Sequence, residues 1–224
     1  FRIAIPDTDI ADLHERLDRT RWPDQVGDPW VYGTDIGYLR DLCDYWRHGF
    51  DWRAREAALN RFPQLLVPLG DHLVHCIHQR STHHHAEPLL ITHGWPGSVA
   101  EFEQIIERLT QPERFGADPQ DAFHVVCPSI PGYGFSRAPT RPGFQPRACA
   151  ELFRSLMATL GYRRWFAQGG DVGAAVTTWL GALAAEELKG IHLNLVFVRP
   201  PKEDPMAGVT DAERRRLEER TAYM

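Results

Sequence analysis

Asp171 stands at the centre of Gly169-Gly170-Asp171-Val172-Gly173, directly after the strand-like run Trp165-Phe166-Ala167-Gln168 and before an Ala-rich helical stretch. A strand that turns sharply into a helix throws the middle residue outward, and flanking glycines allow the strained backbone and close packing of such a nucleophile elbow. A serine there must be activated by a base, whereas a carboxylate at a helix N-terminus is already ionised at neutral pH. It suits attack on a strained or halogenated carbon. The plain alternative is an aspartate that only caps the following helix.

A second segment, Pro88-Leu89-Leu90-Ile91-Thr92, reads as a short buried strand running into His93-Gly94-Trp95-Pro96-Gly97-Ser98. This resembles the oxyanion-loop motif of α/β-hydrolases. The resemblance implies that the backbone N–H groups of Trp95 and Val172 converge on one oxygen and stabilise a tetrahedral oxyanion, a donor being worth roughly 3–4 kcal/mol. His93, Gly94, Pro96, Gly170 and Gly173 support the two motifs, His93 by shaping its loop and not by moving a proton. Phe123–Pro128 reads as another strand, and Ile130-Pro131-Gly132-Tyr133-Gly134-Phe135-Ser136 resembles the glycine loop before the next helix in these enzymes.

With Arg21-Trp22-Pro23-Asp24, Phe50-Asp51-Trp52-Arg53 and Leu59-Asn60-Arg61-Phe62-Pro63-Gln64, the chain is similar over essentially its whole length to epoxide hydrolases of the microsomal type. One departure is Val172, where many members have tryptophan; the backbone donor is kept. The implied fold class is α/β: a mostly parallel sheet flanked by helices, preceded by a helical N-terminal arm, with the C-terminal part of the fold missing. The expected division is an arm over 1–68, the first part of the core over 69–199 and the start of a lid over 200–224. The implied reaction is hydrolysis of a small-molecule epoxide by water to a vicinal diol through an ester on Asp171, with no cofactor and no metal. Family members continue through a lid with tyrosines that assist ring opening, an acidic residue and a base histidine. Those parts lie beyond the point where this chain stops, and it opens on Phe1, so both ends look cut and it reads as the N-terminal portion of a longer enzyme, unable to turn over by itself. A haloalkane dehalogenase, which also uses an elbow aspartate, and a non-catalytic interaction module on the same fold stay open.

The bulk properties fit a core-forming chain of 224 residues. A net charge of −5 with interspersed signs argues against a nucleic-acid partner, and Arg214-Arg215-Arg216 lies among glutamates as on a solvated helix face. No stretch approaches the ~18 apolar residues of a membrane span, and no signal peptide is visible. The four scattered cysteines read as reduced thiols, so the expected location is cytoplasmic, with room for a removed N-terminal anchor. The sequence sets no oligomeric state.

The elements that must position these groups follow from periodicity. Ile10, Leu13 and Leu17 predict a helix capped by Asp7 or Thr8; Leu39, Leu42, Trp46 and Phe50 predict a second, both burying apolar faces on the core. Leu73–His78 reads as a strand, Ser98 and Glu101 as a capping box, and 147–160 as a helix stopped by Gly161. Lys189-Gly190 reads as the stop of the elbow helix, with a strand over 191–198, a break at Pro200-Pro201 and a fresh cap at Thr210 and Glu213. The glycines of the elbow do not suit a dinucleotide, since Asp171 would set a like charge against its pyrophosphate. His83-His84-His85 reads as a variable polar loop. Tyr133 and Tyr223 read as packing residues, and His72, His75, His78, His124 and His192 as strand or surface residues.

Overall fold

The computed structural model describes residues 1–196, 202–204 and 206–223, with 221–223 as helix backbone. The chain opens with helices α1 (Asp7–Asp18), α2 (Ile36–His48) and α3 (Trp52–Leu59). Asp35 and Asp51 cap the second and third by accepting the Tyr38 and Ala54 N–H groups, which the first turn leaves without helical partners. The first helix has no side-chain cap, contrary to expectation: Asp7 pairs with Arg53 on α3, and the Thr8 hydroxyl bonds Asp9. Phe50 lies beyond the end of α2, where its N–H bonds the Tyr45 carbonyl.

The arm helices also do not bury apolar faces on the core; none holds a buried residue, and α1 packs on α2. Docking falls instead to extended chain. Ile3 is buried, and Asn60 clasps it by accepting its N–H and donating to its carbonyl, each at 2.8 Å. Glu56 accepts the Ile5 N–H at 2.8 Å, and Phe62 enters the core.

A six-stranded sheet follows, made of β1 (Gln64–Leu69), β2 (His72–Gln79), β3 (Glu87–Thr92), β4 (Phe123–Pro128), β5 (Trp165–Gly169) and β6 (Leu188–Leu193), in the order β1-β2-β4-β3-β5-β6. The first two strands form a hairpin turned at Gly70 (φ 57°), and β2 runs antiparallel to β4; the remaining pairs are parallel. This is the α/β, mostly parallel arrangement expected. Strand β1 has no counterpart among the expected elements and crosses the expected boundary at residue 68. Strand β6 starts at Leu188, so Lys189-Gly190 lies inside it; α6 (Val172–Leu183) has already ended, and Gly190 leaves room for the Phe166 ring. Strand β6 ends at Leu193, so 194–196 are not strand as expected; 197–198, the break at Pro200-Pro201 and the side chain of Tyr223 lie outside the described residues.

The crossovers are α4 (Glu103–Thr110), α5 (Pro146–Thr159) and α6. Ser98 caps a 3-10 turn over Val99–Phe102 before α4, so the expected α-helix starts later than its capping pair implied. Gly161 ends α5 as read, with φ 88° and its N–H on the Ala158 carbonyl. Thr210 and Glu213 make a reciprocal capping box for the last helix, α7 (Asp211–Tyr223). Both sheet faces are covered by apolar side chains, as parallel strands require. Leu90, Phe153, Leu156, Trp165 and Leu180 pack on one side, and Ile77, Ile91, Phe102 and Ile106 on the other. Full burial of each such side chain contributes about 1.5–3 kcal/mol.

Candidate active site

Between the end of β5 and the start of α6 the backbone at Asp171 takes φ 50°, ψ −122°, a conformation that is uncommon for a residue with a side chain. The neighbours that permit it are not equal. A Cβ on Gly169 would sit 2.1 Å from the Gly173 carbonyl oxygen, and one on Gly173 would sit 2.1 Å from that of Thr92. Helix α6 therefore starts with its backbone against the end of β3, a contact that only glycine allows. Gly170 has ordinary room, the nearest atom being Asn194 Cβ at 3.6 Å, so the elbow's demand for glycine falls on 169 and 173. The Asp171 side chain makes no N-cap hydrogen bond to α6.

The carboxylate turns to the loop after β3. Trp95 N–H donates to Asp171 Oδ1 at 2.8 Å. That bond, followed by the Val172 N–H, holds the carboxyl below its usual range, because donors aimed at a carboxylate favour its charged form. A Cβ on Gly94 would lie 2.5 Å from Asp171 Cβ, so the loop approaches this closely only because residue 94 is glycine. The Trp95–Pro96 peptide is cis, and the indole of Trp95 is 70% exposed.

His93 is buried and fixed at both nitrogens. Its Nδ1 faces the Gly94 carbonyl at 3.0 Å, and its Nε2 accepts the Ile130 N–H at 3.1 Å. A carbonyl only accepts, so the proton sits on Nδ1. Burial lowers the pKa of the ring, and Tyr133 packs edge-on against it with centroids 5.4 Å apart.

Asp171 opens on a cleft of about 1000 Å³ whose far wall is apolar, with Phe166, Phe102 and Ile191 among its lining. Gln168, His192 and Asn194 also line it, and sequence reasoning passed over them. Gln168 Nε2 bonds Asn194 Oδ1 at 2.5 Å, while Gln168 Oε1 is buried without a partner. The signal was available in the period of two along β5, which sets Gln168 on the Phe166 face.

The other histidines sort differently. His83 contacts Glu113 at 3.0 Å and His85 the Pro119 carbonyl at 2.9 Å, and no group of three potential ligands gathers among the described residues. His75, read as a strand or surface residue, is wholly buried. Cys76, Cys127 and Cys149 are buried free thiols whose pKa values burial raises, to about 12 at Cys76 and Cys149; Cys43 is free and half-buried. No described helix is long and apolar enough to cross a membrane.

Residues 87–217 match the alpha/beta hydrolase fold family, more than half of the chain. The chain belongs to the α/β-hydrolase family. Residues 1–102 of this chain match the family described as epoxide hydrolase N terminus. Across 203 residues it is 39% identical to epoxide hydrolase 1 of Oryctolagus cuniculus, covering 88% of this chain and 45% of that protein. The structure of Aspergillus niger epoxide hydrolase aligns with a TM-score of 0.80 at 31% identity, covering 96% of this chain and 57% of that one. Juvenile hormone epoxide hydrolase from the silkworm Bombyx mori aligns with a TM-score of 0.78 at 33% identity, over 87% and 52%. The chain spans about half the length of the curated relatives it matches.

Proposed function

We propose that this chain carries the nucleophile half of an epoxide hydrolase. The observation that supports it best is the ionised Asp171 at a strained elbow, with Trp95 N–H on one of its oxygens and an apolar cleft before it. In this reading Asp171 Oδ2 attacks a ring carbon. The carbon–oxygen bond breaks, its electron pair goes to the ring oxygen, and that oxygen takes a proton from an acid, a role held by lid tyrosines in the family that the sequence resembles. Oδ1 then is the ester carbonyl oxygen, already within reach of the Trp95 donor. When water attacks the ester carbon, charge builds on Oδ1, where the Trp95 and Val172 N–H groups favour it. The water gives its proton to a base, the bond from the ester carbon to Oδ2 breaks with its electron pair going to Oδ2, and Oδ2 takes a proton and leaves in the vicinal diol, so that the water oxygen completes the free carboxylate.

The water-activating pair is the part that this cleft lacks among the described residues. His48–Asp44 and His83–Glu113 are the histidine–carboxylate contacts there, and neither lines the cleft. His93 is committed at both nitrogens. The 224 residues by themselves are therefore proposed to stop at the ester. The division into arm, core and lid start at 68 and 199, and a cytoplasmic location, belong to the same reading.

Intact-mass spectrometry after incubation with a reactive aryl epoxide tests this. One adduct per chain, mapped to Asp171 and lost in Asp171→Ala, is the expected result. Absence of an adduct in folded protein would count for the non-catalytic module, and halide release from a haloalkane for a dehalogenase.

A further inference from the structure

Ser129 and Ile130, which lead from β4 into the glycine loop, lie between two buried histidines. Ile130 N–H donates to His93 Nε2 at 3.1 Å, whereas Ser129 Oγ lies 2.9 Å from Nδ1 of His75 on β2. The proton positions in this second contact are fixed by Gln64. Its Nε2 donates to the Leu59 carbonyl at 2.9 Å, so its Oε1 is the atom 2.8 Å from His75 Nε2. Oε1 only accepts, so His75 carries its proton on Nε2 and its bare Nδ1 accepts from the Ser129 hydroxyl. The His75 N–H donates to Ser136 Oγ at 2.9 Å, and that hydroxyl donates to the Ser129 carbonyl at 2.7 Å. Ser129 N–H on the His75 carbonyl at 2.8 Å completes the tie.

Every polar group in this set has a partner, and His75, Ser129 and His93 are almost wholly inaccessible. Buried networks with complete pairing hold one geometry, since any shift leaves a desolvated group unpaired. The chain of bonds runs from Gln64 through His75, Ser129-Ile130 and His93 to the Gly94 carbonyl. The next N–H, that of Trp95, is the one on Asp171.

We propose that His75, which does not line the cleft, is a positioning residue for the oxyanion donor: it fixes Ser129-Ile130, which through His93 sets the Gly94–Trp95 peptide against Asp171. The proposal rests on the hydrolase reading above for its meaning, and its test is independent of turnover.

The test follows the Asp171 carboxyl by carbon NMR titration, and Trp95 amide exchange, in the full chain. Ser129→Ala removes the hydroxyl donor with little change in volume. His75→Asn keeps an acceptor near the place of Nδ1, and His75→Gln keeps a polar group only near the place of Nε2. In Ser129→Ala and His75→Gln the Asp171 pKa is expected to rise toward its ordinary 3.8 and Trp95 exchange to quicken about tenfold, the equivalent of one bond to a charged group; His75→Asn restores both. A folded Ser129→Ala in which Asp171 titrates as in the parent overturns the proposal. So does a His75→Asn that shifts Asp171 as far as His75→Gln does, because then filling and not the bond to Ser129 matters. Should the His75 variants fail to fold, Ser129→Ala decides alone. Adduct formation with the aryl epoxide is scored separately, so its absence would count against the hydrolase reading without touching the titration.

Discussion

Trp95 N–H lies 2.8 Å from Asp171 Oδ1, so the donor proposed for the developing oxyanion already holds the proposed nucleophile at rest. The arrangement favours an ionised carboxylate and keeps one of its oxygens in the place that the ester carbonyl would take in the proposed reaction. It also sets a pH signature. The folded pKa of Asp171 is depressed, so the reactive form persists as pH falls through the ordinary carboxylate range. Adduct formation with an aryl epoxide should decline on acidification with a midpoint below the ordinary 3.8. Time courses of adduct mass at several pH values measure it; a midpoint at the ordinary carboxylate value would show that the Trp95 bond is not made in solution.

The glycines of the elbow should separate sharply by stability. Gly173→Ala drives a methyl into the Thr92 carbonyl, backbone against backbone, and is expected to cost about 3 kcal/mol or more. Gly170→Ala meets only ordinary contacts at negative φ, and should change stability by about 1 kcal/mol or less. Urea midpoints for the two variants give the comparison.

His75 gives the fold an acid limit. Burial, aided by the nearby Phe1 ammonium, lowers its pKa from 6.5 to about 4; its other close partners, Gln64, Ser129 and Ser136, are neutral. The unfolded chain then binds a proton that the folded one refuses. Stability should be level above about pH 6.5, fall as pH drops toward 4, and lose up to ~3 kcal/mol over that window from this group. Because His78 and His124 are shifted the same way, the readout is the difference in pH slope between the parent and His75→Asn.

Asn60→Ala removes both bonds that clasp Ile3. With about 1 kcal/mol for each, the expected loss is about 2 kcal/mol, accompanied by faster amide exchange at Ile3 and Ile5. Unchanged exchange there would mean that the apolar side chain of Ile3 docks the arm without the clasp.

What could be read from the sequence was local or carried by motifs. The elbow, the loop at Trp95, Gly161 as a helix stop and the Thr210–Glu213 box each depend on residues a few positions apart. The arm was misread because Leu42 and Trp46 repeat at helical spacing and yet stay exposed, while the docking falls to Ile3, whose partner Asn60 is remote in sequence. Strand β1 was hidden because its short run contains Pro68 and gains its order from pairing with β2. The burial of His75 had no sequence signal at all, since its partners come from β1 and from the glycine loop.

The closeness of Gly94 to Asp171 sets a rule for redesign. Asp171 Cβ occupies the volume that a side chain at 94 would need, so the two positions share one methyl-sized space. Replacements at 171 that differ only beyond Cβ, such as Asp171→Ser, leave that space as it is and lose only the bond from Trp95 N–H, whereas Gly94→Ala asks for two carbons in one place. The elbow can therefore exchange one side chain for another beyond Cβ without crowding the loop, but the loop cannot gain an atom at 94 without displacing Asp171.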